Sequence, residues 1–164
     1  MDIIILYGLP GSGKSFYSKK LENDWTYVLH MDDYIVDGKY EPIKDVLKSI
    51  KLGFRKNTVV IDSIITTNDK LMDIIKECYD VFGKRSSSGI FFKVVYWNED
   101  REACKENVKR RDDGRNVSVT IENLPFEDVN EYKIRKFVRD IYTNNRVEFE
   151  KRYVFTGGTW GIQQ

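Results

Sequence analysis

Cysteine and histidine are scarce in this chain: two Cys and one His among 164 residues. Cys78 and Cys104 lie in unrelated segments and form no CxxC or zinc-type spacing, which argues against a disulfide scaffold or a cysteine-held metal and for a reduced, cytosolic setting. The lone histidine, His30, sits beside the end of a strand-like run, where such a residue is more often a structural hydrogen-bonder than a proton carrier; no role is assigned to it. No apolar run is long enough to span a bilayer. The N-terminal one is short, follows Asp2, and is used up by a strand, so neither a signal peptide nor a membrane segment is expected. Repeats and low-complexity tracts are also missing. The net charge of +1 excludes a strongly basic protein that coats nucleic acid, although 27 Lys and Arg remain free to cluster. What is present, 41% hydrophobic and 32% charged residues, describes a soluble globule of one domain over residues 1–164.

The most informative stretch is Gly8-Leu9-Pro10-Gly11-Ser12-Gly13-Lys14-Ser15, which fits G-x-x-x-x-G-K-[ST] at every fixed position. The apolar run at 3–7 before it reads as a buried parallel strand, and residues 15–21 after it can open a helix. Strand, glycine loop and helix N-terminus are the parts that cradle a polyphosphate. Gly8, Gly11 and Gly13 permit backbone conformations in which successive N–H groups, that of Ser12 included, point at phosphate oxygens. The helix dipole adds favourable potential there. Lys14 is expected on the β- and γ-phosphates and the Ser15 hydroxyl on Mg²⁺.

Further strands are expected at 27–31, 58–61 and 90–96. Between them, Ile43, Val46, Leu47, Ile50 and Phe54 keep helical spacing after Pro42, and Leu71, Ile74, Ile75, Cys78 and Phe82 form a second stripe. The second helix is expected to be capped by Thr66-Thr67-Asn68 and to close at Gly83. A charged helix follows at 99–111, with a loop at 84–89 ahead of the fourth strand. Strand alternating with helix predicts a parallel β-sheet flanked by helices on both faces, a three-layer α/β/α fold. The last quarter, a C-terminal extension from about 125 to 164, is less periodic: 116–124 reads as helix, while 132–138 and 146–155 fit strand or helix. The tail around Trp160 either packs over the core or is loose.

In such sheets ligands gather at the carboxyl ends of the strands. Asp32, after the second strand, is the best candidate for the carboxylate that accepts a proton from an attacking hydroxyl. Its neighbour Asp33 points elsewhere in a regular backbone; a turn-capping role is the alternative for the pair. Asp62 ends Thr58-Val59-Val60-Ile61-Asp62 at the place of a Walker B carboxylate, where it can hold Mg²⁺ through water or serve merely as a turn residue. Arg101, Lys105, Lys109, Arg110, Arg111 and Arg115 form a basic cluster that either closes over the nucleotide as a lid, at about 101–116, or is a solvated helix face. Residues 132–139, basic and aromatic by turns, read as a charge-protected edge strand, or else as a groove for single-stranded nucleic acid.

Taken together, the glycine-loop octapeptide, Met31-Asp32-Asp33-Tyr34, Val59-Val60-Ile61-Asp62 and Asn107-x-x-Arg110-Arg111 resemble the P-loop kinase domain of phage polynucleotide kinases over about residues 1–124. The resemblance implies a P-loop NTPase fold, ATP and Mg²⁺ as cofactors, Asp32 as general base, and Arg110 as the lid arginine on the phosphates, with Arg111 and Arg115 beside it. It also implies a hydroxyl on DNA or RNA as acceptor, and a cytoplasmic location, the host's if the chain is phage-encoded. Two departures fall on the acceptor side. Ile35 stands where that family has an arginine after D-D-Y, and Asp62-Ser63-Ile64-Ile65 replaces its Asp-x-Thr-Asn. The ATP side is intact, which points to phosphoryl transfer with a changed acceptor: a 5′-hydroxyl end first, or a hydroxyl on a modified base within DNA. A small-molecule kinase (of a nucleoside, sugar or nucleotide-sugar, as in zeta-type toxins) and an ATP-dependent switch without an acceptor are the competing readings. The sequence leaves the oligomeric state and the choice of ATP over GTP open.

Overall fold

The computed structural model describes residues 1–53, 57–83, 89–111, 118–141 and 146–155. Residues 84–88 of the expected loop at 84–89, Phe54, the part of the expected lid from 112 to 116 with Arg115, and the tail around Trp160 lie outside them. Five parallel strands form one sheet: β1 (Asp2–Tyr7), β2 (Thr26–His30), β5 (Thr58–Asp62), β6 (Phe91–Trp97) and β7 (Arg146–Arg152), in spatial order β2-β5-β1-β6-β7. The helices are α1 (Lys14–Leu21), α2 (Ile43–Gly53), α3 (Asn68–Phe82), α4 (Arg101–Arg111), α5 (Ser118–Asn123) and α6 (Glu131–Ile141). A two-stranded hairpin, β3 (Ile35–Val36) and β4 (Lys39–Tyr40), stands apart from the sheet.

Side-chain alternation along β1 builds the three layers. Ile3, Ile5 and Tyr7 pack with Val46 and Leu47 of α2, the apolar stripe of α3 from Leu71 to Phe82, and Ile134 and Val138 of α6. Ile4 and Leu6 face the other way, toward Ala103, Cys104 and Val108 of α4, Ile121 of α5, and Tyr17 and Leu21 of α1. A central strand apolar from Ile3 to Tyr7 is the expected result of burial on both faces.

Helix boundaries follow local chemistry. Thr67 caps α3, its hydroxyl accepting the N–H of Lys70 at 3.3 Å. Gly83 ends that helix in right-handed geometry, with φ −59°, so it does not act as a left-handed cap. The carbonyl of Pro42 accepts the N–H groups of Asp45 and Val46, opening α2. Residues 131–141 are helix, which decides the strand-or-helix alternative at 132–138 and corrects the edge-strand reading of 132–139. The reason is the spacing of Ile134, Phe137 and Val138, three and four apart, which seats one face on the core while the basic residues face outward. The Asn130 side chain accepts the N–H of Lys133 and caps this helix. Residues 146–152 resolve as strand; Val147 and Phe149 pack inward, and the alternating charges protect an exposed sheet edge. Among the described residues no helix is long and apolar enough to cross a membrane.

Candidate active site

The loop between β1 and α1 is shaped by glycine where nothing larger fits. Gly11 has φ +83° and lies so near α4 that an added Cβ would sit 2.4 Å from the Cys104 carbonyl oxygen. Gly13, at φ 113°, precedes α1 with no side-chain cap, and the first turn carries no acidic residue. The N–H groups there are left for an anion. The Ser12 hydroxyl is buried without a hydrogen-bond partner among the described residues. An orphaned donor, an uncapped helix start and a cradle that any Cβ would fill together fit a polyphosphate.

Lys14 is buried, and its ammonium donates to the carbonyls of Gly8 at 2.7 Å and Leu9 at 2.8 Å. Burial lowers its pKa to about 8, while the carboxylates of Asp62 and Asp32 favour the charged form. It therefore remains a cation at neutral pH. His30 and Asp62 are register partners at the ends of β2 and β5, so Asp32, two residues past His30, lies at the same carboxyl edge of the sheet as Asp62.

Asp62 ends β5 beside β1, at 2.8 Å from the Ser15 hydroxyl, which donates to its Oδ2. The same oxygen lies 2.9 Å from His30 Nδ1. Burial pushes the Asp62 carboxyl upward, but the bond from His30, the charge of Lys14 and the Ser15 hydroxyl together hold it below the usual carboxylate range. His30 moves the other way: its bond to Asp62 raises its pKa. A hydroxyl and one ionised carboxylate at a phosphate cradle suit Mg²⁺, which takes few protein ligands and keeps phosphate oxygens and waters.

Asp32 lies in a short turn of 3-10 helix, Met31–Asp33, directly after β2. Its Oδ1 accepts the hydroxyl of Tyr40 at 2.7 Å, and the hairpin carrying Tyr40 is turned by Asp37 at φ 52° and Gly38 at φ 76°. An Asp-Gly pair at positive φ is the expected chemistry of a tight two-residue hairpin.

The basic cluster divides. Arg101 donates to the carbonyls of Ile121, Glu122 and Leu124, and Lys105 pairs with Glu122, so both tie α4 to α5. Arg110 lies 3.5 Å from Glu106 on the half-exposed face of α4. Arg111 instead contributes to the positive potential at Lys14. Arg115 is outside the described residues.

Two residues take roles at the site that the sequence did not assign them. His30 is one. Asn107, marked in the sequence only as the start of the Asn-x-x-Arg element and buried in α4, is the other: its amide donates to the Gly11 carbonyl at 3.1 Å and the Phe155 carbonyl at 3.0 Å, stapling the glycine loop to the segment after β7. Neither bond has a local signal, for the partners lie 96 and 48 positions away.

This arrangement can be set beside known proteins. No family model matches the chain. An uncharacterised protein of Acanthamoeba polyphaga mimivirus is 25% identical over 157 residues, spanning 94% of this chain and 97% of that protein. Among solved structures, a gluconokinase from Sinorhizobium meliloti superposes with a TM-score of 0.55 at 14% identity, over 95% of this chain and 83% of that one. The chain has the P-loop NTPase fold. The shared fold puts the glycine loop, Asp32 and Asp62 at the carboxyl edge of a parallel sheet, where the ligands of this architecture bind.

Proposed function

We propose that this protein is an ATP-dependent kinase that transfers the γ-phosphate to a hydroxyl of nucleic acid, either a 5′-hydroxyl end or a hydroxyl on a modified base within DNA. The observation that carries the reading is Asp32: a carboxylate directly after β2, at the sheet edge where β2's last residue is in register with Asp62. A nucleotide switch has no use for a base aimed at an acceptor. The glycine loop and Lys14 hold the β- and γ-phosphates; Ser15 and Asp62 would hold Mg²⁺, which when bound neutralises charge on the phosphate oxygens. Asp32 takes the proton of the acceptor hydroxyl as its oxygen bonds to the γ-phosphorus. The bond to the bridging oxygen breaks, and ADP leaves with the electron pair. Arg111, with Arg110 and Arg115 of the lid, is suited to offset charge on the departing group.

The first test follows label from γ-labelled ATP with Mg²⁺ to DNA of two kinds: strands with free 5′-hydroxyl ends, and end-blocked strands carrying internal hydroxymethylated pyrimidines. Label on either kind supports the reading and identifies the acceptor. Label on neither overturns the nucleic-acid assignment. A second reading, a small-molecule kinase, draws support from the fold shared with a gluconokinase. It predicts label on a sugar acid, sugar or nucleoside, with no DNA affinity that falls with salt.

A further inference from the structure

We infer that the β3–β4 hairpin is the acceptor platform, and that its Ile35–Tyr40 face receives an uncharged flat ring, a nucleobase, next to the hydroxyl to be phosphorylated. This deepens the proposed function and rests on it. Ile35 and Tyr40 are directly paired across the hairpin, so their side chains share one face; Val36 and Lys39 form the other pair. The Tyr40 hydroxyl reaches Asp32 at 2.7 Å, which fixes that face toward the carboxylate. Ile35 and Tyr40 are nevertheless about half exposed, at 48% and 51%, and Val36 is exposed at 54%. Ile35 and Tyr40, two large side chains on one face left in water beside a candidate catalytic carboxylate, are not there to fill a core.

The chemistry of the face selects its occupant. It offers an aliphatic side chain and a phenol ring whose hydroxyl is already engaged by Asp32, while the hairpin's cation, Lys39, lies on the opposite face. A phosphate or a sugar acid would meet no cation there and would face the Asp32 carboxylate. A base has an uncharged π-face that stacks on such a surface. The platform is also held firmly. The N–H of Glu41 donates to the Tyr34 carbonyl at 2.9 Å, and the Tyr34 hydroxyl lies 3.0 Å from that of Tyr27 on β2. Tyr40 thus acts twice, as a stacking surface and as a positioning residue for Asp32.

The experiment measures binding without turnover. A dye-labelled, end-blocked single strand with one internal 5-hydroxymethylpyrimidine is compared by anisotropy with an abasic strand of equal length and phosphate count. The wild-type chain is expected to prefer the base-bearing strand by about tenfold at fixed salt. Ile35→Ser and Tyr40→Ala should each remove most of that preference. Tyr40→Phe, which keeps the ring, should retain it while lowering kcat for transfer at nearly unchanged acceptor KM. Equal affinity for the two strands, a preference that survives both hairpin variants, or binding of neither strand would overturn the inference. Hairpin-dependent base preference without transfer of label to any acceptor would instead sink the kinase reading alone.

Discussion

His30 Nδ1 and the Ser15 hydroxyl meet on the same carboxylate oxygen of Asp62, at 2.9 and 2.8 Å. The end of β2, the end of β5 and the start of α1 are thereby pinned to one atom. A β2 edge that slid by one residue would lose the ring and turn His30 to the other face of the sheet.

That bond makes stability depend on pH. The folded-state pKa of His30 is raised above 6.5, so the ring binds its proton more tightly in the folded chain. Its stabilising contribution is complete below pH 6.5 and is lost as pH rises through the higher folded value. Urea unfolding of the wild type and His30→Gln should show a stability difference that shrinks between about pH 6 and about pH 8. A difference that grows over that range would contradict the pairing.

Lys14→Ala should lower triphosphate-dependent turnover by about a hundredfold or more, since it removes the cation on the transferring group. Steady-state kinetics with Mg²⁺ and ATP check this. Turnover within a factor of about three of the wild type would remove Lys14 from the phosphate site.

Asp32→Asn should leave ATP affinity near that of the wild type while transfer falls by about 10²–10⁴-fold. Equilibrium titration with a fluorescent ATP analogue separates the two effects. A near-normal kcat would mean that another group takes the proton.

Gly11→Ala places a methyl group 2.4 Å from the Cys104 carbonyl oxygen in a backbone of φ +83°. The strain alone is expected to cost about 1–3 kcal/mol, and relief requires the loop or α4 to shift. Calorimetry should show a lower Tm, and ATP titration a weaker Kd. An unchanged Tm would mean that the loop and helix are less closely packed than described here.

Asn107→Ala leaves the Gly11 and Phe155 carbonyls without their shared donor. A loss of about 1–3 kcal/mol in chemical unfolding is expected, with weaker ATP binding because the loop is no longer tied down. Unchanged values on both counts would remove Asn107 from the support of the loop.

The parts of this protein that were legible in sequence are those whose physics is local. The glycine octapeptide carries its loop within eight positions, and β1 announces two-sided burial by being apolar from Ile3 to Tyr7. Asp62 was readable because it ends such a strand. His30 was not, because its value comes from a strand neighbour 32 residues on. Residues 132–139 fitted an edge strand as well as a helix because basic and aromatic residues interleave there, and the deciding helical spacing of Ile134, Phe137 and Val138 rests on three residues alone. The β3–β4 hairpin had its signal in Asp37-Gly38, but strands of two residues are too short to show any period.

The central place of β1 sets an order of events during synthesis. This strand leaves the ribosome before either of its sheet neighbours, for β5 begins at Thr58 and β6 at Phe91. Until β5 has emerged, the segment from Ile3 to Leu6 is an apolar nascent strand with no partner on either edge, and one edge stays open until β6 follows; such segments are shielded by chaperones and aggregate when these are scarce. The tether that Asn107 makes to Phe155 comes later still. The phosphate cradle is thus translated among the first elements and finished among the last.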